Sequence, residues 1–257
     1  MKFFSLSSRV FLPFLWLAIV LPLQGQSNLA SNVYSWPGLD KDTEKVMLVG
    51  NTTHLKHLEI KAVQLVSKKR AKHERVHTGE EELIIVKEGQ LKIKMGTTKS
   101  ILGPGSVALI LPGDKHKLSP AGNGPTVYYS MKYQSKKPMS MERGKKAGGS
   151  FVVYWEEVAF REHSKGGRRD FFDRPTAMAE DFEMHVTNLN ERVQSHAPHT
   201  HQVEEIILMI QGNIEMHIDG ATPKADVGDF AFIDALIPHA PTNIGKGQAI
   251  YFAFQWK

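Results

Sequence analysis

Residues 199–212 read HTHQVEEIILMIQG, a polar segment with two histidines and two glutamates that runs directly into five apolar residues and ends at a glycine. A short apolar run that ends at a glycine is typical of a buried β-strand entering a turn. On a strand, residues two and four apart share a face, so we expect His199, His201 and Glu205 to point the same way. We expect His239 to close this group from a later strand, across a barrel.

Three imidazoles and one carboxylate form a ligand set that transition metals bind. The alternative is a group of four polar side chains that only satisfy one another in a core, and the convergence of three histidines with a glutamate disfavours it. An octahedral ion with these four ligands keeps open positions for water, substrate or dioxygen. The sequence therefore predicts one divalent transition metal, and Mn, Fe, Ni, Co and Zn all remain open because affinity order does not decide occupancy in a cell.

The pattern His199-x-His201-x-x-x-Glu205, with Gly212 seven residues later, resembles the first motif of the cupin superfamily. The resemblance implies a jelly-roll barrel in the form of a double-stranded β-helix. It also implies that these three residues are metal ligands together with His239.

A second cupin-like motif follows, in which Gly228 precedes a strand and Asn243 comes four residues after His239. The family pattern has Pro and Gly between the glycine and the histidine, where this chain has Asp234 and Leu236. This departure concerns the shape of the turn and leaves the implied ligand set intact.

The chain contains an internal repeat. Residues 58–65 and 182–189 both alternate apolar and polar positions, and His77 falls on His201 at the same offset of 124 residues. At an offset of 123, residues of the first half again fall on identical residues of the second: Glu82 on Glu205, Gly89 on Gly212, Gly105 on Gly228, His116 on His239 and Tyr128 on Tyr251. An offset that holds over about seventy residues indicates two copies of one unit.

Each copy consists of short alternating segments separated by turns rich in glycine and proline, without a long amphipathic helix pattern. This predicts an all-β chain with two tandem barrels, which the resemblance identifies as a bicupin. We assign residues 26–135 to the N-terminal cupin barrel, 136–150 to a linker and 151–257 to the C-terminal cupin barrel. The charges of the linker are interpreted as a solvated segment rather than a binding patch.

Residues 1–25 are predicted to form a cleaved signal peptide, because Lys2 and Arg9 precede an apolar run over residues 10–23. That run is shorter than the roughly twenty residues of a membrane span, although an uncleaved anchor is the alternative. We therefore expect a periplasmic or extracellular protein with no stable membrane span after cleavage. The chain has no cysteine, so disulfides cannot contribute to its stability.

The charge of the chain argues against nucleic acid as a partner. The net charge is +5, of which Lys2 and Arg9 in the predicted leader contribute two. No basic stripe with interleaved aromatic residues is present. The expected partner is a small-molecule ligand or substrate, and a homodimer is possible because cupin barrels often pair through their outer sheets.

The N-terminal copy has Arg75 where the C-terminal copy has His199, but it keeps His77 and His116. It also carries one extra residue before Glu82. By strand parity a bulge must turn Glu82 inward, or Glu81 takes its place, and the resemblance favours Glu82.

Arg75 leaves several interpretations open. Its guanidinium could neutralise Glu82 directly, or it could clamp a carboxylate ligand with its planar fork. A metal could also bind His77, Glu82 and His116, with His73 as a further donor. We favour a degenerate site that is retained for packing.

Catalytic residues are otherwise unassigned, with two candidates for proton transfer. His196 precedes Ala197-Pro198 and could lie at the barrel mouth. Asp234 could act as an acid or base, although a role in the turn is favoured. His185 and three methionines are candidates for the barrel lining, with His185 interpreted as a surface or satisfied residue: Met184, Met209 and Met216.

Two classes of function remain. The first is an exported, metal-dependent enzyme acting on a small carboxylated, oxo-acid or sugar-derived substrate, as a dioxygenase, decarboxylase or isomerase/lyase. The second is a non-catalytic bicupin that binds a small ligand or sugar. A titratable group beside the metal other than its ligands would favour the enzyme, and Glu204, His196 and Asp234 are the residues to check. Deamination of the ureidoglycine aminohydrolase type is disfavoured, because that family tends to use a different ligand set.

Overall fold

The computed structural model describes residues 28–66 and 73–257. The predicted signal peptide lies outside the described residues. Among the residues that are described, no helix is long and apolar enough to cross a membrane.

The N-terminal half alternates short strands with tight turns, as its turn residues predict. Its strands are β1 (Asn32–Tyr34), β2 (Glu44–Gly50), β3 (Leu55–Leu65), β4 (Glu81–Glu88), β5 (Leu91–Met95), β6 (Thr98–Leu102), β7 (Val107–Ile110), β8 (His116–Pro120) and β9 (Thr126–Ser135).

The C-terminal half repeats this plan after a short helix, α1 (Met141–Lys146), and a 3-10 turn at Trp155–Glu157. Its strands are β10 (Phe151–Val153), β11 (Arg161–His163), β12 (Gly166–Asp173), β13 (Phe182–Leu189), β14 (Glu204–Gln211), β15 (Ile214–Ile218), β16 (Lys224–Ala225), β17 (Phe230–Ile233), β18 (His239–Asn243) and β19 (Ala249–Trp256).

Each half forms a barrel from one long and one short antiparallel sheet. In the N-terminal barrel, a six-stranded sheet in the order β10-β7-β4-β9-β3-β2 faces the sheet β6-β5-β8, and an apolar cluster joins them. In the C-terminal barrel, a seven-stranded sheet in the order β1-β17-β14-β19-β13-β12-β11 faces the sheet β16-β15-β18 over a second apolar cluster. The predicted all-β architecture with two tandem barrels is confirmed.

The two halves exchange their first strands. β1 pairs with β17 of the C-terminal barrel, with Val33 opposite Ala231, and β10 pairs with β7 of the N-terminal barrel, with Val152 opposite Ala108. Backbone hydrogen bonds therefore cross the predicted boundaries, while the division into domains itself remains a prediction. The predicted linker holds α1, which begins after Ser140, whose side chain accepts from the Arg143 amide.

A tryptophan follows each exchanged strand and docks beside a second-motif glycine of the opposite half. The Trp155 amide donates to Ser106 Oγ at 3.1 Å. The Trp155 indole lies so close to Gly105 that a Cβ on this glycine would be 2.4 Å from the ring. Trp36 is held in the same way beside Gly228, where a Cβ would lie 3.1 Å from its ring. Both glycines also have positive φ, at 80° and 95°, so each position requires glycine for two reasons.

The barrels pack against each other through one shared apolar core. Aromatic side chains of both halves meet there, and the Tyr133 ring lies edge-on to the Phe182 ring with centroids 5.9 Å apart. Burial of this apolar area is the main force that holds the halves together.

Two buried carboxylates join the halves reciprocally. Glu81 of the N-terminal barrel accepts hydrogen bonds from the Thr176 hydroxyl and from the amides of Ala177 and Met178 in the C-terminal half. Glu204 of the C-terminal barrel accepts from the Thr52 hydroxyl and the His54 amide in the N-terminal half, and from the Trp256 indole. Burial raises the pKa of Glu81, and it raises the pKa of Glu204 to about 7.

Candidate metal centre

The first-motif residues of the C-terminal barrel do not lie on one continuous strand. β14 begins at Glu204, and a bend at residues 202–203 separates it from His201. The prediction of a single strand is wrong here, because the backbone before the bend is bonded elsewhere. His199 exchanges two backbone hydrogen bonds with His239, at 3.3 and 3.1 Å, and the His201 carbonyl accepts from the Leu236 amide at 2.8 Å.

This backbone arrangement still brings the predicted ligands together. His199, His201 and His239 each present a ring nitrogen, and the three nitrogens lie within 4.8 Å of one another. Glu205 Oε2 lies 3.4 Å from His201 Nε2 and 2.9 Å from His239 Nε2. The ring nitrogens of the three predicted histidine ligands therefore converge, His199 from the exposed side and His239 from the buried side, and the Glu205 carboxylate lies beside two of them.

Backbone carbonyls orient two of the imidazoles. His201 Nδ1 lies 2.9 Å from the Val203 carbonyl, and His239 Nδ1 lies 2.8 Å from the Ile237 carbonyl. A carbonyl can only accept, so the proton of each neutral ring is on Nδ1, and the lone pair of Nε2 faces the site. This is the orientation that outer hydrogen bonds give to metal-binding histidines.

The charge balance at the site also suits a cation. Burial alone would raise the pKa of Glu205, but the imidazoles of His201 and His239 outweigh this effect and lower the pKa to about 2. Glu205 is therefore ionised at neutral pH. The side-chain hydrogen bond to Glu205 raises the pKa of His201, whereas burial and then His196 lower the pKa of His199.

One buried atom tests whether these residues fit a metal. His239 Nε2 is close to the Glu205 carboxylate but out of line for a hydrogen bond, and it is buried without a partner in the part of the chain described. An unpaired buried nitrogen is costly, and such atoms call for an explanation. An ion held between the carboxylate and the three nitrogens would explain the unpaired atom, because it would bind the lone pair of His239 Nε2. The residues present therefore fit a divalent transition metal.

The site opens into a cavity of about 360 Å³ inside the C-terminal barrel. The candidate His196 lines this cavity, and its Nδ1 lies 3.0 Å from that of His199. The candidate Asp234 does not line it. Its carboxylate accepts from the amides of Thr53 and Ala235, which supports the turn-forming role that was favoured for it.

Two further residues of the sequence analysis have structural roles. Asn243 is buried and donates to the carbonyls of Leu189, Asn190 and Gly247, so it secures a turn away from the ligands. Glu204 points into the interface between the barrels rather than into the cavity.

The N-terminal barrel holds a second cluster of possible ligands, formed by His77, Glu82 and His116. Glu82 Oε2 lies 3.0 Å from His77 Nε2 and 2.9 Å from His116 Nε2, and the latter nitrogen is again buried without a hydrogen-bond partner among the described residues. Burial opposes the charge of Glu82, but the neighbouring imidazoles of His116 and His77 and the hydrogen bond from Ser130 hold its pKa well below the ordinary value. The cluster resembles the C-terminal site without its outermost histidine.

The structure places Glu82, and not Glu81, in this cluster. The loop at residues 78–80 absorbs the extra residue, so β4 begins at the same point as β14 and needs no bulge there. Arg75 bridges His116 through its backbone, as His199 bridges His239. Among the described residues, no ion pair joins the Arg75 guanidinium to Glu82, so direct neutralisation is not observed. His73 is exposed and is not part of the cluster.

Sequence reasoning missed the basic residues that line the C-terminal cavity beside β13. His185, one of the predicted candidates for the barrel lining, does line the cavity, and its Nδ1 is bonded to Glu183. Three basic residues of the β11–β12 hairpin line it as well: His163, Lys165 and Arg168. The alternation of polar residues at 183, 185 and 187 was the signal that this face of β13 is turned toward a cavity.

Comparisons with known proteins identify the fold independently. The family model described as "Cupin domain" matches residues 63–132 and 186–254, one segment in each barrel. A search of curated protein sequences found no match.

Several solved structures share the fold at low sequence identity. A protein from Pseudomonas aeruginosa named as glyoxylate-induced has a TM-score of 0.63 and 17% identity over 83% of this chain and 80% of its own. An oxalate decarboxylase variant from Bacillus subtilis has a TM-score of 0.63 and 11% identity over 89% of this chain and 78% of its own. A salicylate 1,2-dioxygenase from Pseudaminobacter salicylatoxidans has a TM-score of 0.57 and 12% identity over 77% of this chain and 70% of its own.

The family segments cover more than half of the chain and carry both the first-motif and the second-motif residues of each barrel. This chain therefore belongs to the cupin family, with two cupin domains in tandem.

Proposed function

We propose that this protein is an exported, metal-dependent enzyme whose C-terminal barrel acts on a small carboxylated or oxo-acid substrate. The observation that carries the proposal is the convergence of His199, His201 and His239 at a cavity, with the Glu205 carboxylate beside two of them. The buried His239 Nε2 has no hydrogen-bond partner within the described part of the chain. The N-terminal barrel, with Arg75 in place of one ligand, serves mainly to complete and support the C-terminal one.

These four residues would hold one divalent ion, with Mn, Fe, Ni, Co and Zn as the candidates. Such an ion, when bound, acts as a Lewis acid and keeps positions open for an oxygen of the substrate. The protein contributes the orientation of the imidazoles through the carbonyls of Val203 and Ile237, and an ionised carboxylate that partly neutralises the ion.

The walls of the cavity favour an anionic substrate. Lys165 lines the cavity together with His163 and His196, and the charge of Arg168 is balanced by Glu183 and Asp170. The Glu205 carboxylate would be covered by the ion. Positive charge around a partly enclosed cleft attracts carboxylates. Three structural neighbours carry the names of small acids, glyoxylate, oxalate and salicylate, but their likeness concerns the fold alone.

The alternative is a non-catalytic barrel that holds a small ligand or sugar. A binding site needs shape and hydrogen bonds but no group for proton transfer. The cavity contains titratable side chains besides the ligands, His196 and His185 among them, and this favours the enzyme.

Export is supported by the sequence of residues 1–25 alone. A basic start, a short apolar run and the absence of cysteine are consistent with a periplasmic or extracellular protein. Periplasmic fractionation of the expressing cells and determination of the mature N-terminus test this part of the proposal, and a full-length N-terminus in the cytoplasm would contradict it.

The central experiment measures the metal content of the protein purified without chelators or nickel resin. We expect about one ion more per chain in the wild type than in His201→Ala, because the remaining three ligands cannot retain the metal. The matched control is His217→Ala, a change on β15 outside the cavity, which should keep the metal. Equal metal content in all three proteins would overturn the proposal. The metal-bearing protein is then tested on small 2-oxo, 2-hydroxy and dicarboxylic acids.

A further inference from the structure

The part of the cavity wall that β13 forms carries a histidine that is fixed by a carboxylate. His185 Nδ1 lies 2.7 and 3.1 Å from the two carboxylate oxygens of Glu183, and the two side chains are only 13% and 15% exposed. Glu183 is held in turn by Arg168 Nη2 at 2.7 Å and by Gln255 Nε2 at 3.2 Å. The carboxylate that orients His185 is therefore itself fixed from two further strands.

The register of the sheet gives the distance to the metal centre. Glu183 on β13 is opposite Gln255 on β19, which is opposite Glu205 on β14. Two strand spacings separate Glu183 from Glu205, which is about 10 Å between their Cα atoms. Paired positions of one antiparallel sheet share a face, so Glu183 lies on the same face as Gln255 and Glu205, which line the cavity. His185 is one row deeper and faces Ala253, whose small side chain leaves the cavity open beside it.

The second nitrogen of His185 is available to a ligand. A carboxylate can only accept, so the bond to Glu183 places the proton of the neutral ring on Nδ1 and leaves a lone pair on Nε2. Within the described residues, Nε2 has no hydrogen-bond partner. The charged groups packed around the ring are Glu183, the exposed Asp170 opposite it on β12, and Arg168, which bonds to both carboxylates.

The N-terminal barrel has a different arrangement at the equivalent positions. There Lys61 lies 3.2 Å from Glu59 and 3.4 Å from Glu44, in ion pairs on the surface of β2 and β3. At the repeat offset of 124, His185 replaces this lysine and Arg168 replaces Glu44. The fixed imidazole is thus confined to the barrel that has the complete ligand set.

We propose that His185 is the catalytic base of the C-terminal site, positioned by Glu183, and that the substrate is a 2-oxo acid with a hydrogen on C3. This inference rests on the proposed function and deepens it. In the step, Nε2 takes the C3 proton, the electron pair of the C–H bond forms a C2–C3 double bond, and the keto oxygen becomes an enolate oxygen. Return of the proton to C3 completes the step without an oxidant or reductant.

The separation of His185 on β13 from the proposed ligand Glu205 on β14 favours a carbon acid over a hydroxyl as the proton donor. A hydroxyl held at a metal ion becomes acidic through the ion itself and needs no distant base. The C–H bond of an oxo acid is displaced from the oxygen atoms at the ion by further bonds along the chain. A base on β13, two strands away from the ligand Glu205, matches this displacement.

The first test measures the tautomer of His185 directly, in the metal-free protein and without any substrate. Long-range ¹H–¹⁵N NMR should show His185 at high pH as the tautomer with the proton on Nδ1, and Glu183→Gln should abolish this preference. A proton on Nε2 in the wild type would overturn the proposal, since that nitrogen could not act as the base.

The second test follows deuterium exchange into pyruvate in D₂O by ¹H NMR, with metal-loaded protein whose ion content is measured first. We expect exchange to fall at least tenfold in His185→Gln and less in Glu183→Gln, while His217→Gln behaves as the wild type. Metal content and thermal stability show that each variant is folded and loaded.

The outcomes separate this proposal from the previous one. Exchange that is undiminished in His185→Gln, or no exchange by a wild type that contains its ion, would overturn the role of His185 and leave the metal site standing. A wild type that binds no ion would overturn the proposed function, and this inference with it.

Discussion

Arg75 and His199 occupy equivalent positions, and each is joined by a pair of backbone hydrogen bonds to the histidine of its second motif. The difference between the two sites is therefore a difference of side chain on nearly the same backbone. Arginine stays protonated in proteins and offers no lone pair, so it cannot ligate a cation. It leaves His77, Glu82 and His116 as an incomplete set of three ligands.

At this position we predict a gain of metal binding. Arg75→His should raise the metal content by up to one ion per chain, because it removes a positive charge and adds the missing imidazole. Elemental analysis of wild type and variant measures the difference. Lys92→His, at an exposed position on β5, is the control and should leave the content unchanged. No rise in Arg75→His would mean that the N-terminal barrel lacks the geometry for an ion.

The ligands could be predicted from the sequence because they belong to one local spacing and its repeat. The Glu183–His185 pair could not, since its meaning depends on Arg168 and Gln255, which reach it from other strands. Only the register of β12, β13 and β19 reveals that these residues surround one cavity.

Among the elements, the exchanged strands are fixed by the tryptophans that follow them. Gly105 and Gly113 provide a matched pair for measuring this, because both have positive φ, 80° and 84°, but only Gly105 faces an indole. A Cβ on Gly113 would have no atom within 4 Å, whereas a Cβ on Gly105 would meet Trp155 at 2.4 Å.

We predict that Gly113→Ala lowers the free energy of unfolding by about 1–2 kcal/mol, which is the cost of a left-handed conformation for alanine. Gly105→Ala should lower the free energy of unfolding by about 1–3 kcal/mol more than Gly113→Ala does, because the Trp155 indole must move. Urea denaturation followed by tryptophan fluorescence measures both. Equal decreases in the free energy of unfolding of the two variants would show that the Trp155 side chain can move aside without loss of stability.

The elements also show where local sequence reasoning fails. Alternation placed His199, His201 and Glu205 on one strand, but the strand begins only at Glu204. The bend before it exists because the backbone of His199 pairs with that of His239, a contact between residues far apart in the sequence. The resemblance to cupins implied residues whose side chains do lie close together, although the element that carries them was predicted wrongly.

For the molecule as a whole, the junction of the two barrels depends on Glu81 and Glu204. Each carboxylate stands next to a site glutamate and is bonded to backbone and hydroxyl groups of the opposite half. Glu82 and Glu205, the glutamates of the two histidine clusters, are thus held on strands whose ends are fixed across the interface.

This junction predicts a pH dependence of stability. Burial raises the pKa of Glu204 to about 7, above the roughly 4.3 of an unfolded chain. A raised folded-state pKa gives a contribution that is complete below about pH 4.3 and is lost as the pH rises through about 7. The advantage of wild type over Glu204→Gln should therefore shrink between pH 5 and pH 8, by up to about 3 kcal/mol.

Thermal unfolding of both proteins over this pH range, in a chelator to remove bound metal, measures the effect. Glu180→Gln is a control, because that carboxylate is on the surface and pairs with Lys137. Parallel pH curves for wild type and Glu204→Gln would contradict the prediction.

The exchange of first strands also sets the order in which the molecule can be made. β1 leaves the ribosome near the start of synthesis, yet its partner β17 comes about two hundred residues later, and β7 stays open at one edge until residues 151–153 arrive. An open edge strand is a template for unwanted pairing, and such distant contacts form slowly. The N-terminal barrel therefore cannot close before the first strand of the second half is made, and β1 must wait unpaired until β17 follows, so each barrel is completed only by a strand from the other half.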